Sequence, residues 1–278
     1  MTNGARPVSS VPLVPLVPLV PPPAPVPAVE AVVFDWGGTL TPFHDADLLD
    51  LWRLVAHDLA PGRVRELTRA LAGSEQQWWA TAGGSGRSGT VTELLAVAST
   101  AVGLDVASAV HRVVGRHDLC AWTPHTVCDP DALLLLHLVR TRGLRIGLLT
   151  NTHWPRAWHS RWLARDGLLD LIDARVYTND LPFAKPHPDA FRAVLASLGV
   201  RDPRTAVFVG DRPASDIAGA RAVGMRTVLL SDGAAPRPGE RGSRGAAGAD
   251  AVIGRLGRLL GVLDGWAAGL HRPFSRAG

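Results

Sequence analysis

The apolar residues of this chain follow two rhythms, and the first predicts a short strand followed by a block of helices. Residues Ala31–Phe34 form an uninterrupted apolar run, which is typical of a buried strand in a parallel sheet. Residues 45–117 then show helical periodicity and no convincing strand. The helices predicted there are Leu48–Leu59, Val64–Trp79, Val91–Val102 and Val106–Val114. The glycine-rich segment 83–89 is predicted to separate two of these helices as a flexible turn.

The second rhythm begins near residue 131 and alternates helices with strands. The predicted strands are Arg145–Leu149, Ala174–Tyr177, Ala206–Val209, Arg226–Leu230 and Asp250–Ile253. The predicted helices are Asp131–Arg142, Pro155–Arg165, Pro188–Leu198, Ala214–Val223 and a last one that ends near Leu263. This alternation predicts a parallel sheet with helices on both faces. In such a sheet, ligands bind at the carboxyl ends of the strands.

Together these patterns predict an α/β protein with a Rossmann-like parallel-sheet core and an inserted all-helical domain. The core is assigned to residues 29–43 and 126–264, and the helical insert to residues 44–125. Residues 1–28 are predicted to be a disordered or polyproline II tail, because the frequent prolines exclude a helix. Residues 265–278 are assigned to a C-terminal tail.

Composition and charge narrow the range of functions. The 278 residues carry a formal net charge of only +4 and no dense basic run, which argues against nucleic-acid binding. Proline interrupts the apolar N-terminal segment, and no other run of about 18 apolar residues is present, so we expect no membrane partner. Two cysteines in so long a chain favour a reducing, cytoplasmic setting. The sequence does not indicate an oligomeric state.

Four chemically distinctive segments lie at, or just after, predicted strand ends. Asp35 closes the first strand in VVFDWGGTL, and Thr150 closes another in IGLLTNT. Lys185, the only lysine of the chain, precedes a helix in AKPHPDAF. Asp211 and Asp216 follow a strand in VFVGDRPASDIAGA. Strand ends are where a parallel sheet binds its ligands, so these five side chains are the candidates for chemistry.

This set of side chains suits the transfer of a phosphoryl group. A carboxylate cannot approach a negatively charged phosphoryl group unaided, whereas Mg²⁺, which prefers oxygen ligands, removes the repulsion. Asp35 and Asp211 can supply two such ligands. The Thr150 hydroxyl and the Lys185 ammonium can hold the remaining phosphoryl oxygens, and Asp216 can orient Lys185 or a metal-bound water. Asp35 would then attack phosphorus, and water would cleave the aspartyl-phosphate.

In this order, the four segments resemble the signature motifs of the haloacid dehalogenase (HAD) superfamily of hydrolases. The resemblance covers residues 29–263, and the helical insert is similar to the family's C1-type helical cap. It implies that Asp35 is the catalytic nucleophile and that Thr150 and Lys185 bind the phosphoryl group. It also implies that Asp35, Asp211 and Asp216 belong to a magnesium site, with Asp216 as its outer acid.

Four further residues are candidates for the site, either because the same resemblance implies them or because they lie beside its motifs. The backbone carbonyl of Gly37 is expected to bind Mg²⁺, and Asn151 is expected to lie at the substrate. Trp36, next to the nucleophile, is expected to point toward the cap and to help shape specificity. Arg212 follows the metal-binding Asp211 and is a candidate to face an anionic substrate.

Gly37 is the one departure from the family pattern. Phosphatases that this sequence resembles usually carry an acid/base aspartate two positions after the nucleophile, and such general acid–base help contributes typically ~10²–10⁴-fold. Either a cap residue replaces it, or the leaving group needs little protonation, or turnover is slow. His44, Asp45 and His57 are the candidate replacements by their closeness in sequence.

Three functions stay open. The first is a magnesium-dependent phosphatase of a small phosphorylated metabolite, and the second is a catalytically impaired domain that acts as a binding or regulatory module. The third is a dehalogenase-type hydrolase, which needs no metal, and the intact Asp211 and Asp216 argue against it. Phosphonatase chemistry requires a cap lysine and is excluded, because Lys185 is expected to lie in the core.

Overall fold

The computed structural model describes residues 28–42, 48–105, 123–231 and 248–269. Within these ranges, six strands form one parallel sheet in the order β3-β2-β1-β4-β5-β6. The strands are β1 (Ala31–Phe34), β2 (Arg145–Thr150), β3 (Ala174–Tyr177), β4 (Ala206–Gly210), β5 (Arg226–Leu230) and β6 (Ala251–Ile253). Strand β1 lies between β2 and β4, so the residue that follows β1 enters the middle of the carboxyl edge of the sheet.

Helices cover both faces of this sheet. Helices α1 (Leu48–Leu59), α2 (Val64–Ser85) and α3 (Val91–Ala101) form an apolar cluster of their own, whereas the sheet is covered by helices of the core. The core helices are α4 (Ala132–Thr141), α5 (Arg156–Arg165), α6 (Pro188–Leu198), α7 (Gly219–Ala222) and α8 (Leu259–Ala267). Neighbouring residues of a strand point to opposite faces, so Phe34 packs with α4 and α8 while Val33 packs with α6. Burial on both faces explains the continuous apolar runs of the strands, and the predicted α/β fold class is confirmed.

Helices α1, α2 and α3 form a helical unit (residues 48–101) that is inserted between β1 and β2. Helix α3 starts at a capping box, in which the Thr90 side chain accepts from the Glu93 N–H and the Glu93 carboxylate accepts from the Thr90 N–H. The apolar interior of the unit continues into three tryptophans of the core, at the start of α5 and along it. These are Trp154, Trp158 and Trp162. The helical unit therefore packs onto the core through aromatic side chains.

The segment after α2 differs from its prediction as a flexible turn. Helix α2 continues to Ser85 rather than ending at Trp79, and the chain turns only at Gly86, which has a left-handed φ of 66°. The Ala184 N–H then donates to the carbonyl of Gly86 (2.6 Å), and the Val91 N–H donates to the carbonyl of His153 (2.7 Å). Through these hydrogen bonds to the core, segment 86–91 is an ordered joint between the two parts.

Two other elements differ from the predicted ones. After β4 the chain forms a π-helical turn (Pro213–Ala218) before α7, instead of one α-helix from Ala214 to Val223. Helix α8 extends to Ala267, past the end predicted near Leu263. The predicted helix 106–114 and the predicted tail up to residue 27 lie outside the described residues. Among the helices that are described, none is long and apolar enough to cross a membrane.

Candidate active site at the carboxyl edge of the sheet

Asp35 lies in a tight loop that directly follows β1. Its backbone N–H donates to the carbonyl of Val209 in β4 (2.9 Å), which extends the strand pairing by one residue. The loop closes where the N–H and the hydroxyl of Thr41 both donate to the carbonyl of Trp36, at 2.9 and 3.1 Å. Gly38 has a φ of 88°, a conformation that favours glycine. The loop thereby holds the Asp35 carboxylate at the sheet edge, where its side chain keeps 9% of its area exposed.

Lys185 lies between two of the predicted carboxylates. Its Nζ is 2.6 Å from Oδ1 of Asp35 and 2.8 Å from Oδ1 of Asp216. All three side chains are buried. Buried charges are tolerated when they are paired, and one compact ammonium with three N–H donors can contact both carboxylates. The only lysine of the chain is therefore the positive centre of this cluster.

Burial and pairing together set the titration of this cluster. Burial raises the pKa of Asp35, and the nearby Asp216 adds to this, although the charge and hydrogen bond of Lys185 act in the opposite direction. For Lys185, burial alone would lower the pKa, but attraction to Asp216 and Asp35 holds it above its ordinary value. Lys185 is therefore charged at neutral pH, as a ligand for phosphoryl oxygens must be.

The segment after β4 places Asp211 beside Asp216. The Arg212 backbone N–H donates to Oδ2 of Asp216 (3.0 Å), which orients that carboxylate. Gly210 passes so close that a Cβ there would lie 2.5 Å from the same oxygen, so only glycine fits. One carboxylate oxygen from each of Asp35, Asp211 and Asp216 lies within 4.8 Å of the others. Three hard oxygen donors at this spacing suit a divalent cation such as Mg²⁺.

Thr150 and Asn151 occupy the end of β2, next to β1. Thr150 is buried, and its Oγ1 lies 3.4 Å from the backbone carbonyl oxygen of Asn151. The Asn151 amide is used on the backbone of Lys185: Nδ2 donates to its carbonyl (2.8 Å), and Oδ1 accepts from its N–H (2.8 Å). Asn151 therefore positions the segment that carries Lys185.

Trp36 packs against the apolar cluster of the helical unit, and Gly37 follows it in the loop after β1. The Trp36 ring stacks on Trp162, with centroids 5.3 Å apart, and meets His159 edge-on at 4.7 Å. A Cβ on Gly37 would have no heavy atom within 4 Å, so packing does not require glycine there. Of the proposed replacements for the missing acid/base group, His57 is exposed on α1, and residues 43–47 lie outside the described residues.

The sequence analysis missed Glu75, a buried carboxyl group where the helical unit contacts the core. The Trp52 indole N–H donates to Oε2 of Glu75 (2.6 Å), and Nε2 of His153 lies 3.6 Å from its Oε1. Burial raises the pKa of Glu75 to about 7 and lowers the pKa of His153 to about 3. The sequence did contain a signal, because Leu67, Leu71 and Glu75 are four residues apart and share one helix face.

The Arg212 side chain connects the core to the helical unit. Its guanidinium carbon lies 5.2 Å from the ring centroid of Trp79, which belongs to α2 and provides a cation–π contact. The effect of Arg212 also reaches the nucleophile candidate. Burial dominates in raising the pKa of Asp35, and the positive charge of Arg212 acts to lower it.

A parallel sheet with three carboxylates and a buried lysine at its carboxyl edge defines a Rossmann-like α/β domain with an acidic candidate site. The chain belongs to the haloacid dehalogenase-like hydrolase family, whose sequence profile matches residues 29–224. The prediction of an HAD-type hydrolase is therefore confirmed.

Two named relatives align with most of the chain. It is 29% identical over 243 residues to a phosphatase of Mycobacterium tuberculosis, covering 86% of this chain and 98% of the relative. It is 32% identical over 218 residues to a phosphoglycolate phosphatase of Rhodospirillum rubrum, covering 75% and 82% of the two chains.

Solved structures show the same fold. A HAD phosphatase from Thermococcus onnurineus aligns with a TM-score of 0.55 at 25% identity, over 85% of this chain and 99% of that one. A 2-haloacid dehalogenase from Pseudomonas syringae aligns with a TM-score of 0.59 at 23% identity, over 86% and 99%. At that identity, the likeness to the dehalogenase concerns the fold alone.

Proposed function

We propose that this protein is a magnesium-dependent phosphatase of a small phosphorylated metabolite, with the Asp35 carboxylate as its covalent nucleophile. The observation that carries the proposal is the buried cluster in which Lys185 bridges Asp35 and Asp216 beside Asp211. The names of the relatives from M. tuberculosis and R. rubrum support phosphatase chemistry on a small substrate. No nucleic-acid or membrane partner is proposed, and the cytoplasmic setting indicated by the two cysteines stays a prediction.

The proposed magnesium site consists of Asp35, Asp211, the backbone carbonyl of Gly37 and, as its outer acid, Asp216. Support comes from the three carboxylate oxygens within 4.8 Å of one another. When bound, the cation supplies the positive charge that lets a carboxylate approach a phosphoryl group. Asp216 already accepts hydrogen bonds from Lys185 and from the Arg212 N–H. We therefore assign Asp216 chiefly to holding Lys185, and Asp35 and Asp211 to direct contact with the cation.

The reaction proceeds in two displacements. One carboxylate oxygen of Asp35 forms a bond to phosphorus, the bond from phosphorus to the leaving oxygen breaks, and an aspartyl-phosphate results. Lys185 and the Thr150 hydroxyl hold the other phosphoryl oxygens as negative charge builds on them. Asn151 keeps Lys185 in place through its two hydrogen bonds to the lysine backbone. Water then attacks phosphorus, which releases inorganic phosphate and restores Asp35.

The proposed mechanism lacks a general acid at position 37, because Gly37 has no carboxyl group to protonate the leaving group. We propose that the leaving oxygen takes its proton from water and that turnover is fastest when the leaving group needs little protonation. The same glycine favours a second candidate function, an impaired domain that binds phosphorylated ligands without efficient turnover.

We propose that the helical unit is the C1-type cap, within the wider limits 44–125, and that Trp36 helps to shape specificity. The unit is inserted between β1 and β2 and lies against the strand-end side of the core. Two contacts support this assignment: Trp36 packs against its apolar cluster, and Trp79 faces Arg212.

An activity series with p-nitrophenyl phosphate tests the proposal. We expect turnover with Mg²⁺, loss of turnover with a chelator, and loss in Asp35→Asn, whereas the surface variant Asp189→Asn stays active. Turnover that survives chelation or Asp35→Asn would contradict the mechanism. Absent turnover with retained binding of Mg²⁺ and orthovanadate would favour the impaired binding module. Metal-independent chloride release from 2-chloropropionate would favour a dehalogenase.

A further inference from the structure

We propose that Arg212, held by Trp79, forms a second anion subsite beside the phosphoryl position, and that the substrate therefore carries a carboxylate as well as a phosphoryl group. This inference rests on the proposed phosphatase function and adds the substrate class. It begins with the placement of Arg212 in the fold.

The backbone of Arg212 is tied to the candidate magnesium site. Its N–H donates to Oδ2 of Asp216 (3.0 Å). Its carbonyl accepts from the N–H groups of Asp216 (3.0 Å) and Ile217 (3.3 Å) at the start of the π-helical turn. The residue before it is Asp211, one of the three clustered carboxylates. The root of the Arg212 side chain is thus fixed next to the reaction centre.

The far end of the side chain is held from the helical unit. The guanidinium lies over the face of Trp79, at 5.2 Å from the ring centroid. Trp79 in turn donates a hydrogen bond from its side chain to the buried Glu75, and it lies edge-on to Trp78 at 4.5 Å. Glu75 and Trp78 therefore orient the ring on which Arg212 rests.

Within the part of the chain that the structure describes, the charge of Arg212 is left for a ligand. Many arginines of this protein contact an acidic side chain: Arg53, Arg63, Arg140, Arg142, Arg145, Arg156, Arg165, Arg192 and Arg204. Among the residues that the structure describes, no acidic side chain lies within ion-pair distance of the Arg212 guanidinium. Its charge nevertheless acts on Asp35, whose pKa it lowers against the dominant effect of burial. A half-buried guanidinium held by an aromatic face keeps its N–H donors available.

A carboxylate is the ligand that best suits this position. The planar fork of arginine donates two parallel hydrogen bonds to two coplanar carboxylate oxygens. The transferring phosphoryl group already has Lys185 and Thr150 as its own proposed partners. The site also holds three carboxylates, so a singly charged second group adds less repulsion than a second phosphate would.

The test uses two monoesters that differ in one carboxylate, carboxymethyl phosphate and 2-hydroxyethyl phosphate. We expect the wild-type enzyme to prefer carboxymethyl phosphate in kcat/KM by about 10- to 100-fold, the range of a hydrogen bond to a charged group. Arg212→Gln should bring that ratio close to one, and Arg212→Lys should restore part of it. Trp79→Leu should lower the ratio by releasing the guanidinium, whereas Arg192→Gln on the surface of α6 should leave it unchanged.

A wild-type ratio near one, or an equal loss on both esters in Arg212→Gln, would overturn the subsite. Binding decides the matter independently of turnover: calorimetric titration of the Asp35→Asn variant with each ester and Mg²⁺ should show the same preference, and its absence would contradict the subsite. If no monoester is hydrolysed, p-nitrophenyl phosphate included, the phosphatase function fails while the binding comparison still decides the subsite.

Discussion

The carboxyl edge of the sheet and the contact between the helical unit and the core hold their buried ionisable groups in opposite ways. At the edge, Lys185 lies 2.6 and 2.8 Å from the carboxylates of Asp35 and Asp216, and charges compensate one another. At the contact, Glu75 and His153 lie 3.6 Å apart among tryptophans, and burial favours the neutral form of both. One region is an ionic cluster, and the other is aromatic and largely neutral.

The difference follows from the charges within reach. A buried carboxylate stays ionised only where a nearby cation offsets the free-energy cost of removing it from water. Otherwise it takes up a proton. The edge has Lys185 for this purpose, whereas Glu75 has only the Trp52 and Trp79 indoles and a neutral imidazole around it. The edge therefore provides the groups that are proposed to react. The contact region provides a rigid aromatic surface beside them, and Arg212 reaches from one to the other.

Removal of Lys185, the buried cation of the edge, should have the largest effect on stability and activity. Lys185→Met leaves Asp35 and Asp216 buried without a counter-charge, so we expect a loss of about 3–5 kcal/mol in the free energy of unfolding and loss of activity. Denaturant unfolding at neutral pH measures it. Adding Asp216→Asn to Lys185→Met should recover part of the stability. The exposed pair variant Arg192→Met should change it by less than about 1 kcal/mol. Equal stability of Lys185→Met and wild type would refute the ionic description of the edge.

The next prediction concerns Glu75 in the neutral contact region and the dependence of stability on pH. Burial raises the pKa of Glu75 from 4.5 to about 7, so the folded state holds this proton more tightly than the unfolded chain does. The resulting stability is complete below pH 4.5 and is lost as the pH rises through 7. The difference corresponds to roughly 3 kcal/mol. His153 and His159 act in the opposite direction, because burial lowers the pKa of each from 6.5 to about 3 and only the unfolded chain protonates them between these values. The Glu75 contribution is therefore measured as the difference between wild type and a Glu75 variant, in which both histidines are unchanged.

Glu75→Gln removes this titration and keeps an acceptor for the Trp52 indole. Relative to wild type, the variant should gain stability over the same pH window and differ little below it. Denaturant unfolding at a series of pH values measures this difference, and Glu66→Gln, exposed on the same helix, is the control. Parallel stability curves for Glu75→Gln and wild type would show that Glu75 is not buried in its neutral form.

The smallest predicted effect concerns Gly37, in the loop after β1. A side chain fits there, so Gly37→Asp should supply the missing acid/base carboxylate. We expect kcat to rise about 10-fold for 2-hydroxyethyl phosphate, below the full range of general acid–base catalysis. The gain should be small for p-nitrophenyl phosphate, whose leaving group needs little protonation. Gly37→Asn is the control of equal size, and an equal gain in both variants would exclude proton transfer as the cause.

Local patterns predicted most of the core. Three elements have the same range in prediction and structure: Ala174–Tyr177, Pro188–Leu198 and Arg226–Leu230. A strand buried on both faces leaves a continuous apolar run in the sequence, and a helix buried on one face leaves a helical period. The convergence of Asp35, Lys185 and the residues after β4 was also predictable, since strand ends of a parallel sheet meet at one edge. Prediction was poorer at 83–89, where α2 continues to Ser85 and hydrogen bonds to a distant loop order the turn.

The sequence by itself determined the fold class and identified the candidate reactive groups, because strand periodicity and motif order are encoded locally. Only the tertiary structure decided how those groups are used. It paired both carboxylates of the cluster with one lysine, turned the Asn151 amide onto the lysine backbone, and laid Trp79 against Arg212. Each of these contacts joins residues far apart in the chain. Their energies depend on burial and on neighbouring charges, which exist only once the helical unit and the sheet have packed together.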